Sequence, residues 1–251
     1  MQNYKIKIQY DGSNYNGWQK QGNTKNTIQG ALERAVADIA GEPAEVIGSG
    51  RTDAGVHALA QVANFKLQNP IPPEKLKEQL NRKLHDDICI TDIQLVDNRF
   101  HSRLNAKGKK YLYRIQNTVE PDVFRRHLMY HYDARLNLEL MRSGASLLVG
   151  EHDFKSFCSN KHMKKSTVRT IYSIDITRDE KGEVDILYYG NGFLYNMVRI
   201  ITGTLIEIGR EMREYSSIQE ILSARDRQAA GFTAPACGLI LADVEYGKIF
   251  L

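Results

Sequence analysis

Long apolar runs and paired cysteines are both missing from this sequence of 251 residues. No stretch approaches the roughly 20 consecutive apolar residues that a membrane-spanning helix needs, so we expect no transmembrane segment. The opening stretch MQNYKIKIQYDG alternates at once and lacks the charged head and apolar core of a secretory signal. The three cysteines, Cys89, Cys158 and Cys237, are widely spaced and odd in number, which argues against a disulfide framework. We therefore predict a protein of the reducing cytoplasm.

Motifs of several cofactor-dependent and metal-dependent enzymes are also missing. No glycine-rich loop is followed by Gly-Lys-Ser/Thr, as a phosphate-binding loop would be. His57 has no glutamate two residues later and Cys237 has no Cys-x-x-Cys partner, so the zinc ligands of a deaminase are lacking. An aspartic protease needs two Asp-Thr/Ser-Gly sequences, whereas Asp53 is followed by Ala54. These motifs therefore give no support for chemistry that depends on a cofactor or a metal.

The formal net charge is only +4, but the basic residues are concentrated in two runs, RFHSRLNAKGKKYLYR and KHMKKSTVR. Basic side chains bind phosphates, and interleaved aromatic side chains such as Tyr111 and Tyr113 stack on bases. The alternative is that both runs are only solvated surface. The following residues of these runs are predicted to bind RNA: Arg103, Lys109, Lys110, Lys164, Lys165 and Arg169.

Hydrophobic periodicity predicts an α+β fold. YKIKIQYDG at the N-terminus is typical of a half-buried strand, and residues 168–193 are typical of a hairpin with its turn at 180–182. We predict one helix in TIQGALERAVADIA, with Asn26 as its N-cap and Gly41 after its end, and another in NLELMRSGASLLVG, closed by Gly150. We divide the chain into two similar α+β subdomains with mainly antiparallel sheets, residues 1–105 and 106–251.

The stretch GSGRTDAGVHALAQVANF contains the most unusual carboxylate. Asp53 lies in a glycine-rich bend, two residues after Arg51 and directly before a strand-like run. An aspartate in such a bend commonly forms hydrogen bonds with its own backbone. The alternative is a positioned carboxylate that a nearby guanidinium keeps ionised, ready to act as a nucleophile or a base.

Two further residues have both a structural and a functional interpretation. Arg199 lies in FLYNMVRIITGTLIEIG, a helix with no other charge before Glu207. Its side chain either extends to solvent along the apolar surface or pairs with a carboxylate, for which Asp53 is the candidate. Tyr111 is either an ordinary amphipathic strand residue or a stacking face for a base.

Six segments together resemble the A family of tRNA pseudouridine synthases, in the order that is typical of that family. The resemblance extends from Tyr4 to Tyr246, and its most specific part is the stretch that contains Asp53. The segments are YDGSNYNGWQKQ with TIQGALERA, GSGRTDAGVHALAQVANF, FHSRLNAKGKKYLYRI, EHDFKSF, FLYNMVRIITGTL and TAPACGLILADVEY.

The resemblance implies a role for each of these residues. Asp53 is implied to be the catalytic aspartate, and Arg199 to pair with its carboxylate. Tyr111 is implied to stack on the target base and take part in proton transfer, and Arg51 to flip or hold the nucleotide. The implied substrates are uridines at tRNA positions 38, 39 and 40, in the anticodon stem-loop, and the implied enzyme is a cofactor-free homodimer. We also expect the two sheets to join into one extended sheet, with helices on one face and the active-site cleft between the subdomains.

Two other classes of protein fit parts of the sequence. A non-catalytic RNA-binding module would use the basic runs but would not need Asp53. A glycosidase would use Asp53 together with a second carboxylic acid, which the spacing of acidic residues does not supply. For a synthase, the residues leave open whether Asp53 attacks C1′ or C6 of the uridine or removes the proton at C2′.

Overall fold

The computed structural model describes residues 1–160 and 163–247 and contains two compact units. The first unit comprises Met1–Lys107 and the segment that begins at Ile240, and the second comprises Gly108–Leu239. A functional division into residues 1–105 and 106–251 stays a prediction, as do the joined sheet and the cleft. Lys161, part of the second basic run, lies outside the described residues.

Strands and helices alternate irregularly along the described chain. The strands are β1 (Gln2–Tyr10), β2 (Ile47–Gly48), β3 (His57–Leu67), β4 (Ile88–Val96), β5 (Ala106–Gln116), β6 (Tyr130–His131), β7 (Gly150–Asp153), β8 (Val168–Arg178), β9 (Glu183–Gly190) and β10 (Leu239–Tyr246). The α-helices are α1 (Ile28–Ala40), α2 (Pro73–Lys83), α3 (Leu138–Ser146), α4 (Met197–Gly209) and α5 (Ser217–Ala224). The predicted α+β class is confirmed.

The sheet of the first unit is built around β1, which pairs antiparallel with both β3 and β4. The alternation in the sequence of β1 is also seen in its burial, because Tyr4, Ile6, Ile8 and Tyr10 all face the core. On its other side β3 pairs antiparallel with β2 and in parallel with β10. Helix α2 packs against β4, and α1 packs against α2.

The predicted cap of α1 was wrong by one residue. The N-cap is Thr27, whose Oγ1 accepts a hydrogen bond from the amide of Gly30 at 3.2 Å. Asn26 instead donates from Nδ2 to the carbonyl of Asn14 in a preceding loop. The side chain that was expected to cap the helix is therefore used elsewhere. The predicted end is confirmed, since Gly41 has a φ of 70° and its amide bonds the carbonyl of Ala37.

The sheet of the second unit has β9 at its centre, antiparallel to β5 and β8, with β7 pairing antiparallel to β8. The predicted β8–β9 hairpin and the mainly antiparallel sheets are confirmed. Helix α3 packs against β8 and α4. The predicted end of α3 was wrong: the helix ends at Ser146, and Gly150 begins β7 with a φ of 110°. In the described part of the chain, no helix is long and apolar enough to cross a membrane.

Candidate active site

Asp53 begins a tight turn directly before β3. The amide of Val56 donates a hydrogen bond to the carbonyl of Asp53 at 3.1 Å. Between them Gly55 has a φ of 76°, a left-handed conformation that glycine adopts without strain. The Asp53 residue is half-buried. The turn thus fixes the backbone from which this carboxylate projects.

One loop of the same unit, residues 11–18, holds this turn at two points. The amide of Trp18 donates to the carbonyl of Thr52 at 3.0 Å, and the amide of Gly55 donates to the carbonyl of Tyr15 at 3.3 Å. Gly17 lies so close that a Cβ atom there would be 2.6 Å from the Thr52 carbonyl oxygen. The backbone on both sides of Asp53 is therefore anchored to residues far away in the sequence.

Buried side chains anchor the residues that precede Asp53. The hydroxyl groups of Tyr10 and Thr52 lie 2.8 Å apart, and burial raises the pKa of Tyr10 to about 12, so the phenol stays protonated at neutral pH. Gln61 of β3 donates to the carbonyl of Gly50 at 3.1 Å and accepts from the Ser49 hydroxyl at 2.7 Å. Rigid support of this kind is what a positioned reacting group needs.

Arg51 is exposed, and its Nε donates to Oε1 of Gln19 at 3.1 Å. Gln19 in turn donates from Nε2 to Oε1 of Gln29 in α1 at 2.8 Å. The guanidinium of Arg51 is therefore linked to α1 through the side chain of Gln19. The expected contact of Arg51 with a flipped nucleotide stays a prediction.

Tyr111 lies in β5 of the second unit and is only 8% exposed. Tyr111 packs edge-to-face against Phe193, with ring centroids 5.2 Å apart and an interplanar angle of 82°. Two residues later, the hydroxyl of Tyr113 donates to the carbonyl of Pro235 at 2.8 Å. The ring of Tyr111 is therefore held in one orientation by the segment between β9 and α4.

Arg199 lies in the first turn of α4, and its side chain is oriented by two hydrogen bonds. Its Nε donates to the carbonyl of Ala234 at 2.7 Å, and its Nη1 donates to Oδ1 of Asn196 at 3.0 Å. The amide of Ala234 also donates to the carbonyl of Arg199 at 3.1 Å. Arg199 is half-buried, so its side chain does not extend freely into solvent. Its pairing with Asp53 stays a prediction.

Lys109 and Lys110 are neighbours in β5 but lie on opposite faces of the strand. Side chains alternate along a strand, so Lys109 shares a face with Tyr111 and Lys110 does not. The Nζ atom of Lys110 lies 5.2 Å from the ring centre of Tyr189 in β9. Only Lys109 is therefore on the same side of the strand as the candidate active-site tyrosine.

The remaining predicted RNA contacts differ in exposure. Arg103, Lys164 and Lys165 are exposed, as phosphate-binding side chains are expected to be. Arg169 is half-buried, and its Nη1 donates to the carbonyls of Ser166 and Val168, at 2.9 and 2.6 Å. Arg169 thus also stabilises the start of β8. Across the part of the chain that the structure describes, no group of three or more His, Cys, Asp or Glu residues is arranged to hold a metal ion.

A family model described as tRNA pseudouridine synthase matches residues 6–104 and 145–247, which is most of the chain. The chain belongs to the tRNA pseudouridine synthase family. The matched ranges include Asp53 and Arg199, whereas Tyr111 lies between them. The predicted family and the predicted enzyme class, an isomerase, are confirmed, and an RNA-binding module without activity is not supported.

Curated relatives of the synthase family match over nearly full length. The chain is 49% identical to tRNA pseudouridine synthase A of Bacillus sp. (strain KSM-64), covering 98% of this chain and 100% of that protein. It is 48% identical to tRNA pseudouridine synthase A of Acetivibrio thermocellus, with the same coverage. A crystal structure of an archaeal box H/ACA sRNP Nop10–Cbf5 complex matches with 12% identity and a TM-score of 0.36, covering 97% of this chain and 48% of that one. The chain thus spans about half the length of that protein.

Three residues of this synthase that orient the candidate side chains were missed by sequence reasoning. They are Phe193, which packs on Tyr111, and Asn196 and Ala234, which bond Arg199. Asn196 was detectable as a neighbour, because it lies only three residues before Arg199, at the N-cap of α4. Ala234 acts through its backbone carbonyl, which no side-chain pattern reveals.

Proposed function

We propose that this chain converts uridine to pseudouridine at positions 38, 39 and 40 of the tRNA anticodon stem-loop, with Asp53 as the nucleophile. The substrate and the product are isomers, so the reaction consumes no oxidant, reductant or nucleotide. The N1–C1′ bond breaks, the uracil turns, and a C5–C1′ bond forms. We accordingly expect neither a metal nor an organic cofactor.

In the proposed sequence, a carboxylate oxygen of Asp53 attacks C1′ and the uracil leaves with the electron pair of the N1–C1′ bond. The base then rotates, and C5 attacks C1′ while the carboxylate departs. The proton on C5 is removed, and N1 of the product carries a proton. One positioned carboxylate therefore serves both displacements. Attack at C6 and removal of the C2′ proton are the competing first steps.

The observation that supports this role most strongly is the anchoring of the Asp53 turn. The carbonyl of Thr52 accepts a hydrogen bond from the 11–18 loop and the amide of Gly55 donates one to it. Together with the Val56–Asp53 bond, these leave the carboxylate little backbone freedom. A nucleophile that is already oriented avoids the entropy cost of finding its attack position, which is a large part of enzymatic rate enhancement.

Arg199 and Tyr111 complete the proposed centre. We expect the guanidinium of Arg199, oriented by Asn196 and Ala234, to pair with Asp53 and keep it ionised. We expect Tyr111, oriented by Phe193, to stack on the target uracil and to take the C5 proton. Both assignments agree with the family resemblance, and both require Asp53 to face them across the expected cleft.

The target uridine must leave its helical stack before a carboxylate can reach C1′. Flipping costs a few kcal/mol, which stacking and phosphate contacts offset. The cations that we expect to contact the RNA backbone are Arg103 in the first unit and Lys109, Lys110, Lys164, Lys165 and Arg169 in the second, all of them exposed or half-exposed. We also expect a cytoplasmic homodimer, and light scattering of the purified protein tests the oligomeric state.

The variant Asp53→Asn tests the function directly, because it keeps the size of the side chain and removes the charge. We expect no pseudouridine in an anticodon stem-loop carrying uridine at position 38, 39 or 40, while RNA affinity is retained. Asp86→Asn is the matched control, an exposed carboxylate of the same unit. Carbodiimide labelling followed by reverse transcription detects and locates the product.

Three results would contradict the proposal in different ways. Turnover of Asp53→Asn within about tenfold of the unmodified protein would reject the nucleophile. Product at uridines outside the anticodon stem-loop, with none inside it, would reject the substrate assignment. Release of free uracil would instead identify a nucleosidase.

A further inference from the structure

His57, the first residue of β3, has an unusual environment for a histidine. It is 3% exposed, and its Nδ1 accepts a hydrogen bond from the backbone amide of Gly12 at 3.0 Å. Within the described residues, its buried Nε2 has no hydrogen-bond partner. Because a backbone amide can only donate, Nδ1 is the nitrogen without a proton. Nδ1 is therefore the atom through which the ring accepts a hydrogen bond.

Asp11 lies beside the same nitrogen, with Oδ1 3.1 Å from Nδ1. This contact is an ion pair only when the ring carries a second proton, and then the Gly12 amide has lost its acceptor. The amide of Gly12 always carries its hydrogen, in a direction fixed by the backbone, whereas either ring nitrogen of a neutral histidine can carry the proton. We therefore take the Gly12 bond as the contact of the neutral ring.

Gly12 connects the histidine to the turn that begins at Asp53. A Cβ atom at Gly12 would be 2.0 Å from the carbonyl oxygen of Val56, so the two backbones are in direct contact. The amide of the same Val56 closes the turn onto the carbonyl of Asp53 at 3.1 Å. The amide of Tyr15 also bonds the carbonyl of Gly12 at 3.0 Å, which links Gly12 to the rest of the 11–18 loop. A displacement of Gly12 therefore displaces the end of the turn.

We propose that His57 is a positioning residue for the catalytic turn: by accepting the Gly12 hydrogen bond, it holds the 11–18 loop against Val56 and so orients Asp53. This inference rests on the proposed function of Asp53. It adds a residue that does not touch the substrate and that acts through two backbone contacts.

The buried and unpartnered Nε2 separates this role from simple packing. A buried polar atom without a hydrogen bond is unfavourable, and an apolar side chain at the same place would avoid that cost. What an apolar side chain cannot do is accept the hydrogen bond from Gly12. The acceptor at Nδ1, and not the volume of the ring, is therefore the property to test.

The variants H57N and H57Q separate the two nitrogens. Asparagine places its amide oxygen at the same number of bonds from Cβ as Nδ1, whereas glutamine places its amide one bond farther, near the position of Nε2. We expect H57Q to lower kcat by about 100-fold, the loss that follows when a reacting group is displaced by about 1 Å. We expect KM and the dissociation constant for tRNA to change little, and H57N to recover most of the lost kcat.

Glycine-selective 15N labelling supplies a readout that does not depend on activity. The Gly12 amide is expected to exchange slowly with solvent in the unmodified protein and in H57N, and much faster in H57Q. Equal kcat for H57Q and the unmodified protein would overturn the inference. So would equal losses in H57N and H57Q, because the acceptor would then not be what matters, and so would an unfolded H57N.

The same measurements distinguish a failure of this inference from a failure of the proposed function. If Asp53→Asn is inactive while H57Q is fully active with an exchange-protected Gly12, only the role of His57 is wrong. If Asp53→Asn is active, the assignment of Asp53 as the nucleophile in the proposed function is wrong, and a positioning role for His57 toward a catalytic Asp53 is overturned with it.

Discussion

Arg199 and Ala234 are joined by two hydrogen bonds in opposite directions. The amide of Ala234 donates to the carbonyl of Arg199 at 3.1 Å, and Nε of Arg199 donates to the carbonyl of Ala234 at 2.7 Å. The pair ties the first turn of α4 to the segment that leads into β10. Because Nε and Nη1 each donate to a different partner, the orientation of the guanidinium plane is set before any ligand binds.

Arg199→Lys tests whether this orientation is used. Lysine keeps the charge but has a single nitrogen at its end, so it cannot bond Ala234 and Asn196 and present a planar fork at the same time. We expect kcat to fall by about 100-fold or more, as when an oriented donor in an active site is lost. Arg210→Lys, at the other end of the same helix, is the matched control and should leave kcat unchanged. Equal kcat in both variants would show that Arg199 has only a structural role.

Tyr111→Phe keeps the ring that packs on Phe193 and removes only the hydroxyl. If the hydroxyl takes the C5 proton, we expect normal tRNA binding and loss of finished product. Single-turnover assays with carbodiimide detection of pseudouridine measure this. Phe193→Leu should instead weaken the orientation of the ring and lower kcat while the hydroxyl remains. An unchanged rate for Tyr111→Phe would limit Tyr111 to stacking.

Lys109→Ala and Lys110→Ala form a matched pair of adjacent lysines on opposite faces of β5. We expect Lys109→Ala to weaken tRNA binding and to reduce the slope of log K against log salt concentration by about 1, as the loss of one phosphate contact does. Lys110, whose Nζ lies over the Tyr189 ring, should have a smaller effect on the slope. Filter binding at several salt concentrations measures both, and a reversed order would place the RNA on the other face.

Gly203→Ala tests the packing of α4 on the segment before β10. A Cβ atom at Gly203 would lie 1.9 Å from the carbonyl oxygen of Phe232, so the two backbones must separate. We expect the free energy of unfolding to fall by about 1–3 kcal/mol, the usual cost of overpacking. Gly22→Ala is the control, because no atom lies within 4 Å of the added Cβ. Urea unfolding of both variants measures the free energy of unfolding. Equal values for Gly203→Ala and Gly22→Ala would show that the segment around Phe232 is not packed tightly on α4.

Local features of the fold could be predicted because they depend on neighbours in the sequence. The alternation of β1 follows from the two-residue period of a strand, and the β8–β9 hairpin from the turn residues between two alternating runs. The end of α1 at Gly41 follows from the left-handed conformation that glycine adopts easily. The cap of α1 did not follow, since a contact between Asn26 and Asn14 decided which residue caps the helix. Nothing near Asn26 in the sequence reveals that partner.

The sequence by itself determined the family, the α+β class and the candidate residues Asp53, Tyr111 and Arg199, since these depend on residue types in a characteristic order. Only the tertiary structure decided how those residues are held. The contacts of Gly12 with His57 and Val56, and of Arg199 with Ala234, join residues distant in the sequence, mostly through backbone atoms. Apart from proline, every residue type has the same backbone groups, so the sequence does not show which of them will meet.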